Sequence, residues 1–167
     1  MGLHKIVILF FILFSCWQGF AQLNKTLCKP NEEIIFSFQL KNKKWVGVCK
    51  EKNDKYIVYR FGTNNKVELQ YPVHLDSTSW QQFTFQGYIR GGGKQNAAMR
   101  FGYLYFYNNN INYEVYDIWN SEDDKEKCGV SVKLNKQTIE MQGNLKSRKG
   151  SLVELIYSDK IKKVPEN

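Results

Sequence analysis

The chain has 167 residues, of which 43% are hydrophobic and 15% aromatic, and its formal net charge is +8. This length suits one domain with a real core, and the aromatic content excludes a largely disordered chain. A basic balance favours anionic partners, but the basic residues are interleaved with acids over Lys41–Lys55, Lys125–Lys136 and Lys146–Lys163. Such interleaving is typical of solvated strand edges, so we expect no nucleic-acid partner.

The first 21 residues have the three parts of a secretory signal peptide. Met1–Lys5 is a short basic start, Ile6–Phe14 is an unbroken apolar run, and small residues stand at Gly19 and Ala21. The apolar run rises only about 14 Å as a helix, far less than a hydrocarbon core of about 30 Å. We predict cleavage between Ala21 and Gln22, which leaves residues 22–167 as a single β domain in the periplasm or outside the cell.

A second interpretation of the same segment predicts a lipid anchor. The run Leu13–Cys16 is similar to a bacterial lipoprotein box, in which the cysteine is lipidated and becomes the first residue. That box usually has a small or hydroxyl residue where Phe14 stands. We therefore favour the signal peptide and keep lipidation of Cys16 as the alternative.

Three cysteines remain after the predicted cleavage: Cys28, Cys49 and Cys128. In an oxidising compartment one pair should form and one thiol should remain. The pair Cys28–Cys49 closes the shortest loop and is favoured, with Cys49–Cys128 as the alternative. No metal site is expected, because CxxC spacing is absent and His74 is the one histidine of the mature chain.

Alternating patterns predict four strands in the first half of the chain. In the first strand Ile34, Phe36, Phe38 and Leu40 share one face. Asn and Gly clusters supply the turns between strands, and Pro72 ends the fourth strand. The predicted strands are Glu33–Leu40, Lys44–Cys49, Tyr56–Phe61 and Lys66–Tyr71, followed by a loop over Val73–Ser79.

The second half continues with five more strands. Gly87 indicates a bulge or a close backbone approach, and Gly91–Asn96 is a flexible connection. In the longest strand the odd positions from Met99 to Tyr107 lie on one side and Leu104 and Phe106 on the other. The predicted strands are Trp80–Arg90, Ala97–Tyr107, Ile111–Trp119, Gly129–Leu134 and Thr138–Met141.

The C-terminal segment departs from the period of two. Ser151–Tyr157 fits a short helix, which Ser151 would cap with Glu154 completing a capping box, and the tail from Lys160 is expected to fray. Eight or nine short strands without intervening long helices predict an all-β fold. We expect a single antiparallel β-barrel or β-sandwich with a short C-terminal helix.

No residue pattern predicts catalysis or a cofactor. There is no GxSxG motif, and His74 has the pattern of a lone surface histidine. Gly91–Lys94 lacks the spacing of a phosphate-binding loop. The carboxylates of Glu122–Glu126 cluster in a charged loop and indicate solvated surface. The expected protein is not an enzyme, and no catalytic residue, metal or cofactor is assigned.

The aromatic residues allow two interpretations. They suit core packing and cross-strand pairs, and they also suit a platform on which a sugar stacks. Residues near strand ends and loops give the candidate binding surface, because Trp, Tyr and Arg act as anchors in interfaces. These candidates are Trp80, Arg90, Lys94, Arg100 and Trp119.

Strand-forming motifs spread over most of the mature chain carry a family resemblance. They are Phe36–Phe38, Cys49, Tyr59–Gly62, Lys66–Leu69, Tyr71–Pro72, Tyr88–Arg90, Tyr113–Tyr116 and Gly129–Val132. In these motifs the chain resembles a family of small exported bacterial proteins of uncharacterised function. The resemblance implies export and an all-β fold, and it transfers no active site.

These observations together predict an exported binding protein. The partner we expect first is a protein of the bacterial envelope or of the exterior, bound in the manner of an inhibitor or immunity protein. The alternatives are a glycan or peptidoglycan-binding module and a structural envelope lipoprotein.

Overall fold

A computed structural model describes residues 25–164, which form ten strands and two short 3₁₀ helices. This confirms the all-β prediction. The strands are β1 (Glu32–Leu40), β2 (Trp45–Glu51), β3 (Ile57–Thr63), β4 (Lys66–Tyr71), β5 (Thr84–Arg90), β6 (Met99–Asn108), β7 (Ile111–Asn120), β8 (Lys125–Leu134), β9 (Gln137–Gly150) and β10 (Lys162–Lys163). The first 3₁₀ helix is Ser77–Gln82 and the second is Leu152–Tyr157.

All ten strands belong to one curled sheet that forms a half-barrel. The strand order is β10-β5-β6-β7-β8-β9-β1-β2-β3-β4, and every pairing is antiparallel except that of β10 with β5. The long strand β9 pairs with β8 through its first part and with β1 through its second part. It therefore joins the two halves of the sheet, which the shorter predicted strand Thr138–Met141 does not do.

The core lies inside the curl, where the two halves of the sheet face each other. The Tyr59 ring on β3 packs on the Phe106 ring of β6 with the centroids 4.8 Å apart, and Tyr71 stacks on Phe106 at 4.7 Å. Aromatic contacts of this kind add to the free energy gained by apolar burial. Fully buried side chains around them include Phe36, Phe38, Val46, Val48, Ile57, Phe83, Leu104, Val115 and Val130.

A register irregularity in β1 changes the predicted faces of that strand. Strict alternation places Ile35 and Phe36 on opposite faces of the strand, but the pairing register shifts between Ile34 and Phe36. As a result both Ile35 and Phe36 are buried in the main core. A bulge adds one residue to a strand and so lets two neighbours point to the same side.

The segment before β5 is helical where we predicted a loop and the start of a strand. Asp76 caps the first 3₁₀ helix, and its carboxylate accepts a hydrogen bond from the Thr78 amide at 2.8 Å. Trp80 therefore lies in a helix, where its side chain is buried and its indole donates to the Asp54 carbonyl. Local capping outweighs the apolar alternation on which the strand prediction rested.

The predicted C-terminal helix is present, but its cap differs from the prediction. The Ser151 side chain makes no cap hydrogen bond; its hydroxyl donates to the Asp117 carboxylate, which also accepts from the Leu152 amide at 3.2 Å. Asp117 of β7 thus anchors the helix from another part of the chain. A Cβ on Gly102 would lie 2.7 Å from the Leu152 side chain, so this glycine allows the helix to sit against the inner face of β6.

The tail from Lys160 is ordered through residue 164, so the prediction of a frayed tail is wrong for that part. Ile161 is buried in the core, and β10 pairs with the start of β5. The Lys163 ammonium donates to the Leu155 and Ile156 carbonyls and lies 5.0 Å from the Phe85 ring centroid. A single apolar residue followed by two lysines gives no strand pattern in the sequence.

An N-terminal arm, residues 25–31, covers the outer face of β2 and β3. The disulfide Cys28–Cys49 fastens it, which confirms the favoured pairing, and Cys128 is a buried free thiol. Beneath the arm Arg60 and Glu32 form a buried ion pair with N–O distances of 2.6 and 2.8 Å.

The remaining hydrogen-bonding groups of that ion pair are also satisfied. Arg60 donates to the Leu27 carbonyl of the arm and to the Gln70 side chain, and the Tyr56 hydroxyl donates to Glu32. Burial raises the pKa of Glu32, but the hydrogen bonds from Arg60 and the Lys29 amide outweigh burial and hold it below the usual value. The carboxylate is therefore ionised and fully partnered within the fold.

Candidate functional site

The outer face of the sheet at β5–β8 carries the odd-numbered aromatic side chains of β6 and the rings beside them. We call this surface the tyrosine face and define it by Tyr88, Phe101, Tyr103, Tyr105 and Tyr116. Neighbouring rings form a ladder, with centroid separations of 5.8 Å (Tyr88–Phe101), 5.6 Å (Phe101–Tyr103) and 6.2 Å (Tyr103–Tyr105). Four of these rings remain half-buried and Tyr116 is buried, so most of the ladder is open to a partner.

The strand register places two carboxylates beside this ladder. One row across the sheet runs Thr84, Tyr105, Glu114, Ser131 and Glu140, since each is the direct partner of the next. Directly paired residues in a sheet have side chains on the same face. Glu114 thus stands between a tyrosine and a serine on the outer face.

Tyr116 of the tyrosine face is hydrogen-bonded to Glu140, the carboxylate at the far end of this row. Its hydroxyl donates to Glu140 at 2.8 Å. Burial, followed by this hydrogen bond and the Glu140 charge, raises the pKa of Tyr116. The ring lies against Gly129, where an added Cβ would come within 2.3 Å of the hydroxyl oxygen. Gly129 therefore gives the Tyr116 ring the room to lie flat along the sheet.

Glu114 differs from Glu140 because no hydrogen bond or ion pair within residues 25–164 holds its carboxylate. Burial, and secondly the charge of Glu140, raise the pKa of Glu114 above its ordinary value. Burial and the nearby Glu114 charge likewise raise the pKa of Tyr105 to about 12. A half-buried carboxylate without a partner costs free energy, which a ligand able to donate to it would recover.

A hollow of about 510 Å³ opens at this end of the tyrosine face. We call it the Glu114 pocket; the residues that define it are Tyr105, Tyr107, Asn112, Glu114, Ser131 and Lys133. Its walls combine tyrosine rings with amide, hydroxyl and charged groups. Pockets that orient a small group usually have this mixture of apolar walls and a few polar contacts.

The structure does not bring the five predicted surface residues together. Trp80 is 2% exposed and holds the first 3₁₀ helix, so it is not part of a binding surface. Arg90 and Lys94 do share a hollow of about 560 Å³ at the β5–β6 loop. Arg100 and Trp119 pair directly across β6 and β7, on the inner face of the sheet.

The inner-face pair belongs to a charged network that supports the fold. Arg100 and Arg148 both donate to Glu126, and Arg148 also pairs with buried Asp117 at 3.1 Å. The Arg100 guanidinium carbon lies 5.5 Å from the Trp119 ring centroid. These side chains hold one another and the second helix, so the prediction that Arg100 and Trp119 form a binding surface finds no support in their placement.

One set of side chains within residues 25–164 has the composition of a metal site. The ligand atoms of Cys28, Glu32 and Cys49 lie within 4.8 Å of one another. The two sulfurs are bonded to each other, however, and Glu32 accepts from Arg60 and Tyr56. Disulfide sulfurs are not thiolates, so this set is structural in its oxidised form.

The sequence carried a signal for the tyrosine face that we interpreted in two ways. The alternation in Ala97–Tyr107 places the tyrosines on one side, and the structure puts Leu104 and Phe106, not the tyrosines, into the core. The row that holds Glu114 is set by the register of four strand pairings, which join the five strands from β5 to β9. No pattern within a single strand shows which carboxylate lacks a partner.

No family model, curated protein or solved structure matches this chain. None of the helices formed by residues 25–164 combines the length and apolar character needed to span a membrane. The signal peptide, the cleavage between Ala21 and Gln22, and lipidation of Cys16 concern residues outside those that the structure describes. They stay predictions.

Proposed function

We propose that this chain is an exported, non-enzymatic binding protein that engages a protein partner through the tyrosine face. The observation that carries the proposal is the open aromatic ladder on the outer side of β5–β8. On the same side of the other half of the sheet, the N-terminal arm covers β2 and β3. The disulfide that fastens the arm supports export, because such bonds persist in oxidising compartments.

The size of the face favours a macromolecule. Together with the adjoining outer side of β9, which carries Glu140, the tyrosine face spans five strands at about 4.8 Å spacing. With the nine residues from Met99 to Tyr107, this gives a patch of about 20 Å by 27 Å. This area is at the small end of protein–protein contacts and larger than a single small ligand needs.

The chemistry of the face also favours a protein. Tyrosine is enriched in protein interfaces, because it offers a large, rigid contact area with a polar tip. Glu114 lies at one end of the ladder and Glu140 lies beyond it on β9. The basic side chains of Arg90, Lys127 and Lys133 belong to the same side of the sheet. Charges of both signs around an aromatic centre give a partner a defined orientation.

A glycan is the second candidate, and the lining of the Glu114 pocket favours it. Beside the tyrosine rings the pocket presents Thr84, Asn112, Ser131 and Thr138, whose hydroxyl and amide groups both donate and accept. Sugar hydroxyls need such groups together with an aromatic surface.

Photo-crosslinking tests the proposal. p-Benzoylphenylalanine would replace Tyr103 in the mature full-length chain, and Tyr157 in a matched control, since Tyr157 is 82% exposed and belongs to the second helix. After irradiation in an envelope extract we expect one defined protein adduct from position 103 and none from position 157. Phe101→Thr in the position-103 protein should reduce that adduct at least fivefold.

Two results would contradict a protein partner. The first is equal adduct formation from positions 103 and 157, which would indicate unspecific contact. The second is sedimentation of the chain with insoluble wall polymer, lost in Tyr105→Leu, without any protein adduct. That second result would instead establish the glycan candidate.

A further inference from the structure

We infer that the Glu114 pocket receives the ammonium or guanidinium group of a partner's lysine or arginine side chain. This inference deepens the proposed function and rests on it, because it takes the cation to come from the protein bound at the tyrosine face. The pocket then recognises an organic cation at the end of an apolar stem.

The walls of the pocket suit a cation with an apolar stem. Tyr105 and Tyr107 line it, and Tyr103 stacks beside Tyr105 at an interplanar angle of 19°. Tyrosine rings attract cations through their negative faces, and they pack equally well on a methylene chain.

The charge that a cation would meet is Glu114. It pairs across the sheet with Tyr105, so its carboxylate stands beside the ring that forms the wall. Within residues 25–164 it has no hydrogen-bond donor or ion-pair partner, and the charge of Glu140 acts on it by repulsion. Two carboxylates of the same row attract a positive group more strongly than either would alone.

Lys133 is the one basic side chain that defines the pocket, and it leaves the carboxylate free. It pairs with Asn112, two residues along β7 from Glu114, and it is exposed. It forms no ion pair with a carboxylate of the described residues. The net charge of +8 opposes the approach of cations from a distance, so recognition depends on the short-range contacts within the pocket.

The test is an NMR titration of the full mature chain with Nα-acetyl-lysine methylamide. We expect saturable shifts of Tyr105 and Glu114 resonances, and no saturable shifts with the norleucine analogue, which lacks the ammonium. Glu114→Gln should weaken binding at least fivefold, and Tyr105→Leu should also weaken it. Glu122→Gln, which removes an exposed carboxylate from the β7–β8 loop, should bind as the wild type does.

Each alternative outcome has a defined meaning. Equal shifts with the norleucine analogue, or unchanged binding in Glu114→Gln that folds normally, would overturn the inference. Saturable binding of methyl glucoside in place of the lysine probe would identify a sugar site instead. Spermidine binding at least a hundredfold tighter than the lysine probe would assign the pocket to a free amine and overturn the partner side chain as the source.

The crosslinking tests the proposed function and the titration tests the cation pocket, so either proposal can fail without the other. A specific protein adduct at position 103 with no lysine binding would leave the proposed function standing and remove this inference. Lysine binding that depends on Glu114, without any protein adduct, would establish the cation pocket and overturn the protein partner.

Discussion

Two regions on the same side of one sheet differ in the hydrogen-bond partners that they give to a carboxylate. Over β2 and β3 the N-terminal arm buries Glu32 against Arg60, and every oxygen of that carboxylate accepts a hydrogen bond. Over β5–β8 nothing comparable to the arm lies among residues 25–164, and Glu114 has no donor. The pKa of Glu32 is lowered, whereas that of Glu114 is raised.

This difference separates a group that stabilises the fold from one available to a ligand. A buried charge with all its partners in the chain supports the structure and offers nothing to a second molecule. A half-buried charge that the chain leaves without a partner lowers stability and is a typical feature of a functional site. The covered region should therefore respond to substitution through stability, and the open region through binding.

The largest effect is expected from Arg60→Met. The substitution leaves Glu32 buried without its counter-ion, and breaking one side of a buried ion pair costs about 3–5 kcal/mol. Urea unfolding followed by circular dichroism measures the loss. The double variant Glu32→Gln/Arg60→Met should recover part of it, and a loss below about 1 kcal/mol for Arg60→Met alone would show that the pair is not buried as described.

The next largest effect comes from removing the disulfide. Replacing both Cys28 and Cys49 by serine opens a loop with a sequence separation of 21, for which loop closure predicts a loss of about 3 kcal/mol. Guanidinium unfolding of the double variant against the wild type measures it. Cys128→Ser is the control for changing a cysteine outside the disulfide, and an unchanged midpoint in the double variant would mean that the arm is held without the bond.

Much of this contrast is beyond sequence reasoning for a physical reason. Alternation within a strand is local, so the strands β1–β4 and the two sides of β6 follow directly from the residue pattern. Whether Glu32 or Glu114 finds a donor depends on Arg60 and the arm, which contact the sheet from distant parts of the chain. The predicted cap of the second helix fails for the same reason, because Asp117 from a distant part of the chain binds the Ser151 hydroxyl and the Leu152 amide. The strand predicted from Trp80 fails for a local reason, because Asp76 caps a helix there.

A smaller effect should appear in the pH dependence of stability. The lowered pKa of Glu32 means that its ionised form stabilises the fold above the unfolded value of 4.5, and this contribution is lost as pH falls through the folded value. The raised pKa of Glu114 has the opposite sign: its ionised form destabilises the fold at neutral pH, and that cost disappears below 4.5.

Glu114→Gln should therefore be more stable than the wild type by about 0.5 kcal/mol near neutral pH, with partial exposure limiting the gain. The gain should shrink as pH falls through the unfolded value of 4.5 and vanish at about pH 3, where the wild-type carboxyl is protonated in both states. Urea unfolding at both pH values measures it, with Glu122→Gln as the exposed control. A loss of stability in Glu114→Gln at neutral pH would mean that the carboxylate has a partner after all.

Tyr103→Thr on the tyrosine face should have an effect on stability as small as that of Glu114→Gln and of opposite sign. Its ring is half-exposed, and threonine keeps the strand preference, so the loss should be about 0.5 kcal/mol, the size of one cross-strand contact. Thermal unfolding measures it against Tyr157→Thr, another exposed tyrosine.

The size of this stability loss decides whether the aromatic ladder supports the fold or binds a partner. If Tyr103→Thr loses more than about 2 kcal/mol, the rings support the fold as a buried core residue does, and the open region no longer differs from the covered one. If the loss stays small while Tyr103→Thr abolishes the protein adduct of p-benzoylphenylalanine placed at Tyr105, the rings act on a partner and not on the chain itself. Substitutions beneath the arm then change the stability of the fold, and substitutions on the tyrosine face change binding.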